Sequence, residues 1–226
     1  MDRAVLHETT ESQFIAWPSY GEAGYNTSGL HDWEESAIGE YFTGCQSVLV
    51  GAAGGGREMI ALWRRGMAVD GFECCGKLAE RARELLSENG VDGRVITSRP
   101  DEAPEGLGVY DGAIVGWGAY MHIPGRSQRV AFLKQCREHL RPGSPILLSF
   151  FTRPGDNWEF RWVHAIAGSV RRLRRCAEKV ELGDKLMGTF DHFFTREEIQ
   201  GELEEGGFRQ EFHAETPYGH AVGRAV

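Results

Sequence analysis

The stretch Val48-Leu49-Val50-Gly51-Ala52-Ala53-Gly54-Gly55-Gly56-Arg57-Glu58 decides the fold. Residues 47–51 are a short apolar run of the kind that forms a strand buried on both faces. The small residues after it suit a tight turn that brings backbone close to a ligand. Apolar Ile60, Leu62 and Trp63 then recur at helical spacing until Gly66. The free N–H groups at the start of that helix favour an anion or another polar ligand.

The same grammar repeats downstream. The patterns predict strands over 67–72, 94–97, 112–117 and 145–151, and helices over 76–89 and 127–140. Strands alternating with helices imply an α/β fold, a doubly wound Rossmann-like sheet covered on both faces. Beyond 152 we expect a helix over 158–179 and a strand over 187–194. A helix from Thr195 follows, capped by Thr195 and Glu198, and then a last strand from Phe208. Upstream, 17–29 reads as irregular and Asp32 as the N-cap of a helix over 33–41. The organisation expected is an aromatic cap segment, 1–42, preceding a cofactor-binding domain, 43–226.

Composition narrows the classes. The chain has 226 residues with 25 basic against 33 acidic, a formal charge of −8. That suits one soluble globular domain and disfavours a surface that attracts nucleic acid or anionic lipid. Glycine numbers 30, about 13% against a usual ~7%, without a collagen period. Five cysteines with no C-x-x-C spacing read as reduced thiols of a cytoplasmic protein, with no metal site. Met1 to Thr10 lacks the pattern of a signal peptide, and no apolar run is long enough for a membrane span.

Glu73 lies 17 residues after Gly56 and ends the second expected strand. A carboxylate there can accept both hydrogen bonds of a ribose diol. The residues alone leave two ligand classes, a dinucleotide or another adenosine-bearing cofactor. Packing without a ligand is the simplest alternative for the glycines, and a solvated strand end for Glu73.

The turn, Glu73, the segment Asp111-Gly112-Ala113-Ile114-Val115-Gly116-Trp117-Gly118 and the junction Leu140-Arg141-Pro142-Gly143-Ser144-Pro145 together resemble the motifs of class I S-adenosylmethionine-dependent methyltransferases. Phe193 to Ile199 with Gly207-Phe208 is similar to that family's last helix and terminal hairpin. The resemblance implies a seven-stranded, mostly parallel sheet with an antiparallel terminal strand, and S-adenosylmethionine as cofactor. It places Gly51, Ala52, Ala53, Gly54 and Gly56 at the methionine part and Glu73 at the ribose. Cys74, Arg99 and Pro100 then lie by the adenine, and Gly116 and Trp117 beneath the cofactor. Ala52 stands where the family's first motif commonly has its first glycine. Val50 stands where the family usually has an acid. The usual Gly-Asp pair of the adenine loop is absent from 98–102.

Methyl transfer needs alignment of the acceptor and, for a protic acceptor, removal of a proton. His122, just past the fourth strand, is the expected base, with an ordinary loop histidine as the alternative; His192 and His213 are weaker candidates. Tyr20, Tyr25 and Trp158 are expected at the acceptor, though large aromatics also serve as core. The cluster Arg171, Arg172, Arg174 and Arg175 reads as a solvated face paired with Glu178 and Glu181. A small-molecule acceptor is therefore expected over nucleic acid. A cofactor-binding protein without activity, a nicotinamide-dependent oxidoreductase and an RNA methyltransferase remain the alternatives.

Overall fold

A computed structural model describes residues 3–154, 158–173, 180–186 and 188–226. The alternating part is β1 (Ser47–Gly51), α4 (Arg57–Trp63), β2 (Ala68–Glu73), α5 (Gly76–Glu88), β3 (Val95–Thr97), β4 (Gly112–Val115), α6 (Arg126–Glu138) and β5 (Pro145–Thr152). Before it come α1 (Arg3–Ala16), a 3-10 turn (Pro18–Gly21), α2 (Ala23–Asn26) and α3 (Asp32–Tyr41). After it come α7 (Trp158–Leu173), β6 (Asp184–Leu186), β7 (Phe190–Phe194), α8 (Arg196–Glu205), β8 (Phe208–Ala214) and β9 (Gly219–Ala225).

Strands β3, β2, β1, β4 and β5 pair in that order and all run parallel. Alternation along β1 sends Val48 and Val50 to one face and Leu49 to the other. The first pair packs with Trp33 and Ile38 of α3, Met59 and Ile60 of α4, and Leu85 and Leu86 of α5. Leu49 belongs to the opposite core, with Phe132 and Leu133 of α6 and Ile199 and Leu203 of α8. The direction of winding reverses between β1 and β4, which opens a crevice at the carboxyl ends of those strands.

The C-terminal third differs from the expected arrangement. Residues 145–150 of β5 pair antiparallel with β9, and β9 pairs antiparallel with β8. The last two strands of the main sheet are thus a direct hairpin with no helix between them. The strand expected over 187–194 is shorter: β7 pairs with β6 antiparallel and touches only the end of β5, at Phe151 and Thr152. Among the described residues the strands number nine: β7 answers to the expected strand over 187–194, while β6 and the division of the last strand into β8 and β9 are additions. Met187 and residues 174–179, which include Arg174, Arg175 and Glu178, lie outside the described residues. So do the side chains of Arg171 and Arg172.

The N-terminal segment is also more ordered than its punctuation suggests. Met1 to Thr10 had no expected element, yet α1 begins at Arg3, and 18–26 folds into two short helical turns instead of an irregular run. His31, one residue before the expected Asp32, is the N-cap of α3, where its N–H donates to Glu34 Oε2 at 2.7 Å. Thr195 and Glu198 form the expected capping box of α8. No helix among the described residues is long and apolar enough to cross a membrane.

Candidate functional site

The crevice over β1 and β4 holds a cavity roofed by the N-terminal cap. Its floor and walls include Ala52, Ala53, Gly54, Glu73, Cys74, Arg99, Pro100 and Trp117; the cap contributes Tyr20 and Tyr25, and His122 closes one side. These expected site residues therefore meet in one place. Four others do not line it: Gly51, Gly56, Gly116 and Trp158.

The three glycines shape the turn from behind. A Cβ on Gly116 would collide with the Ala52 carbonyl, and one on Gly51 would meet the Phe72 ring at 2.7 Å. Gly56 is the N-cap of α4 with φ +95. Ala52, where the resemblance expects glycine, has φ 51. It occupies the left-handed region that costs most L-residues energy, so its backbone is the one a glycine would favour. Trp158 is corrected outright: it is 73% exposed, on the outer face of α7, where Trp162 is exposed as well. It cannot act in the cavity from there. Phe194 is fully buried against Tyr120 and Phe150 and belongs to the core.

Glu73 is 5% exposed and already organises the turn. Its Oε2 accepts the Gly54 N–H at 2.8 Å and its Oε1 the Cys75 N–H at 2.8 Å. The Cys74 thiol and N–H also reach the carboxylate, which leaves it part of its acceptor capacity for a hydroxyl. Burial pushes the carboxyl above its usual range, while the Cys75 and Gly54 N–H groups pull it back. Burial and the adjacent Glu73 push the Cys74 thiol up, so it is no thiolate nucleophile. Burial, helped by Tyr25 and Glu58, raises the Tyr20 phenol to about 12.

Val50 is fully buried in the core, so β1 supplies no charge to the cavity. Two acids reach the neighbourhood from elsewhere. Arg57 is 2% exposed and binds Glu34 through both terminal nitrogens, each at 2.7 Å, and Glu58 Oε1 at 2.7 Å. Arg57 and Glu58 both line the cavity. The pair directly follows the glycines, at the first two positions of α4.

The cap is seated on the turn directly. A Cβ on Gly55 would lie 2.5 Å from both the Asn26 amide and the Tyr20 carbonyl, so only glycine permits that approach. Asn26 is buried and donates to the Tyr20 and Glu22 carbonyls at 2.9 Å. Residues His7, Thr10, Glu11 and Phe14 of α1 recur on one helical face and line the cavity. His7 Nε2 reaches Asp101 Oδ2 at 2.9 Å, tying α1 to the 98–102 loop.

His122 has a fixed tautomer. Its Nδ1 is 2.8 Å from the Phe190 carbonyl and 3.1 Å from Asp191 Oδ1. Both neighbours are acceptors, so Nδ1 is a donor, and in the neutral ring Nε2 is the acceptor. Asp191 is buried and accepts from Thr189 Oγ1 at 3.1 Å. The Phe14 ring meets the imidazole edge-on, 5.2 Å between centroids. Asp191 escaped the sequence reading because 69 residues separate it from His122. The other two histidines do not line the cavity; buried His192 binds Asp184 at 2.7 Å. Glu181 accepts from Arg126 N–H and Arg129; its expected pairing with the arginine cluster involves side chains outside the described residues. With Asp184 and His192 it is the one group of possible metal ligands among the described residues. Arg129 already supplies the cation there.

No protein-family model matches the sequence, and no curated protein matches it. Solved structures do. A S-adenosylmethionine-dependent methyltransferase from Methanosarcina mazei has 16% identity and a TM-score of 0.66, covering 88% of this chain and 99% of the other. The Burkholderia thailandensis 1,6-didemethyltoxoflavin-N1-methyltransferase, solved with that compound and S-adenosylhomocysteine, has 15% identity and a TM-score of 0.70 over 100% and 91%. The chain has the methyltransferase fold. An amino pentose methyltransferase from Micromonospora echinaspora, solved with S-adenosylmethionine, has 14% identity and a TM-score of 0.63 over 95% and 97%.

Proposed function

We propose that this protein is a cytoplasmic S-adenosylmethionine-dependent methyltransferase acting on a small-molecule acceptor. The observation that carries this reading is Glu73, buried at the end of β2 and bonded to the Gly54 N–H beneath a closed cap. It supports a ribose site joined to a backbone cradle. Glu73 would hold the ribose hydroxyls, Ala52 to Gly54 the amino-acid half, and Cys74, Arg99 and Pro100 the adenine. When bound, the cofactor supplies a methyl group already activated on a sulfonium.

The chain's own part is to align the acceptor and take its proton. His122 Nε2 would accept that proton, and Asp191 with the Phe190 carbonyl would steady the resulting imidazolium through Nδ1–H. Phe14, Tyr20 and Tyr25 would stack on a compact, flat or apolar acceptor and keep water out. Two neighbours act on a toxoflavin precursor and an amino sugar, which favours a small acceptor over nucleic acid. The free thiols Cys45, Cys74, Cys75 and Cys136 suit a reducing compartment.

The test is S-adenosylhomocysteine formation when protein and S-adenosylmethionine are incubated with a fractionated metabolite extract. Product from the wild type, absent with H122A, is expected. Equal background with both proteins and every fraction would leave a cofactor-binding protein without activity.

A further inference from the structure

The charges around the turn do not cancel. Arg57 carries one positive charge between two carboxylates, Glu34 and Glu58, all three buried. With both carboxylates ionised, the group holds an excess of one negative charge in a low-dielectric setting. Glu34 is held through both oxygens, by bidentate pairing with the guanidinium and by the His31 N–H. Glu58 is not. Both hydrogen bonds that other residues give it, from Arg57 Nη2 at 2.7 Å and the Trp117 N–H at 3.4 Å, end on Oε1. Its Oε2 is left facing the cavity that Glu58 lines.

Glu73 sets the polarity of that cavity. In the strand order β3-β2-β1-β4, the 98–102 loop follows β3 on one side of Glu73, and the glycine turn with Arg57 and Glu58 follows β1 on the other, with Trp117 beyond it after β4; all contribute to the cavity lining. A nucleoside bound through Glu73 with its base toward the loop sends its 5′ substituent to Glu58. We propose that Glu58 is the receptor for the α-ammonium of the cofactor's amino-acid half, supplied from the first turn of α4 because Val50 leaves β1 without an acid. This rests on the methyltransferase reading above. An ammonium there would bring the group to neutrality and donate a charge-assisted hydrogen bond to Glu58 Oε2, which accepts none from another residue. Arg57 would act as a positioning residue that fixes the Glu58 rotamer through Oε1.

The proposal is tested by calorimetry with S-adenosylhomocysteine and with its deaminated analogue, 5′-S-(3-carboxypropyl)-5′-thioadenosine, which keeps adenine, ribose and carboxylate. No acceptor is present, so an acceptor amine cannot contribute. The wild type is expected to prefer S-adenosylhomocysteine by ~10-fold or more, as for a charge-assisted hydrogen bond in a buried site. E58Q should lose that preference while binding the analogue within about twofold of the wild type, and E58D should keep part of it. A wild type that binds both ligands equally overturns the proposal without any variant. So does E58Q weakening both ligands by the same factor. Failure of the wild type to bind either ligand would instead remove the methyltransferase reading, and this inference with it.

Discussion

His122 Nδ1 lies 3.1 Å from the buried carboxylate of Asp191, which is itself held by Thr189. The pair joins the 3-10 turn Ala119–His122, which follows β4, to strand β7, two elements far apart in the chain. H122A should lower kcat by ~10²-fold or more, the usual worth of a positioned base, with cofactor affinity unchanged. D191N should lower kcat without changing the cofactor's Kd, and should have no further effect in the H122A background. Stopped-time product assays with a cofactor titration check both. Additive losses would make Asp191 a merely structural residue.

Cofactor binding should weaken in acid earlier than an ordinary carboxylate would cause. Burial raises Glu73, and burial with nearby Glu34 raises Glu58 against the pull of Arg57. For an acid raised in the folded state, protonation favours the free protein. The ionised form that binding needs is present above the raised value and lost as pH falls through it. Affinity should therefore decline above the normal carboxylate range, measurable by titrations in matched buffers. E73Q should bind weakly at every pH and keep only the part of the decline that Glu58 causes.

Removing Arg57 should cost stability. R57M leaves Glu34 and Glu58 buried without their cation, a loss of ~3–5 kcal/mol by analogy with broken buried pairs. Urea unfolding of the variant without ligand checks this. A loss below about 1 kcal/mol, the value of an exposed pair, would contradict the described burial.

Two small substitutions in the turn should act oppositely. G55A inserts a methyl against Asn26 and Tyr20 and should cost ~1–3 kcal/mol, as overpacking does. A52G relieves a left-handed backbone, so the destabilisation usual for Ala→Gly should be absent or reversed in thermal melts.

The turn and the alternating sheet were legible in the sequence because each demands particular residues: small ones where backbone must approach, apolar runs where both faces are buried. Glu73 was legible for the same reason, as an acid ending a buried strand. Helix α1 was not, because the face it turns to the cavity is His7, Thr10, Glu11 and Phe14, and an apolar periodicity does not register polar residues. The β6–β7 hairpin and Asp191 depend on pairings between distant segments. Trp158 misled because a large aromatic carries no sign of whether its side of a helix meets the protein or solvent.

The most direct measurement is calorimetric titration of the wild type with S-adenosylmethionine, with E73A as control. Saturable binding at one site per chain, weakened ~10²-fold or more in E73A by loss of two hydrogen bonds to a charged acceptor, is the predicted result. No binding to the wild type by either S-adenosylmethionine or S-adenosylhomocysteine would contradict the account.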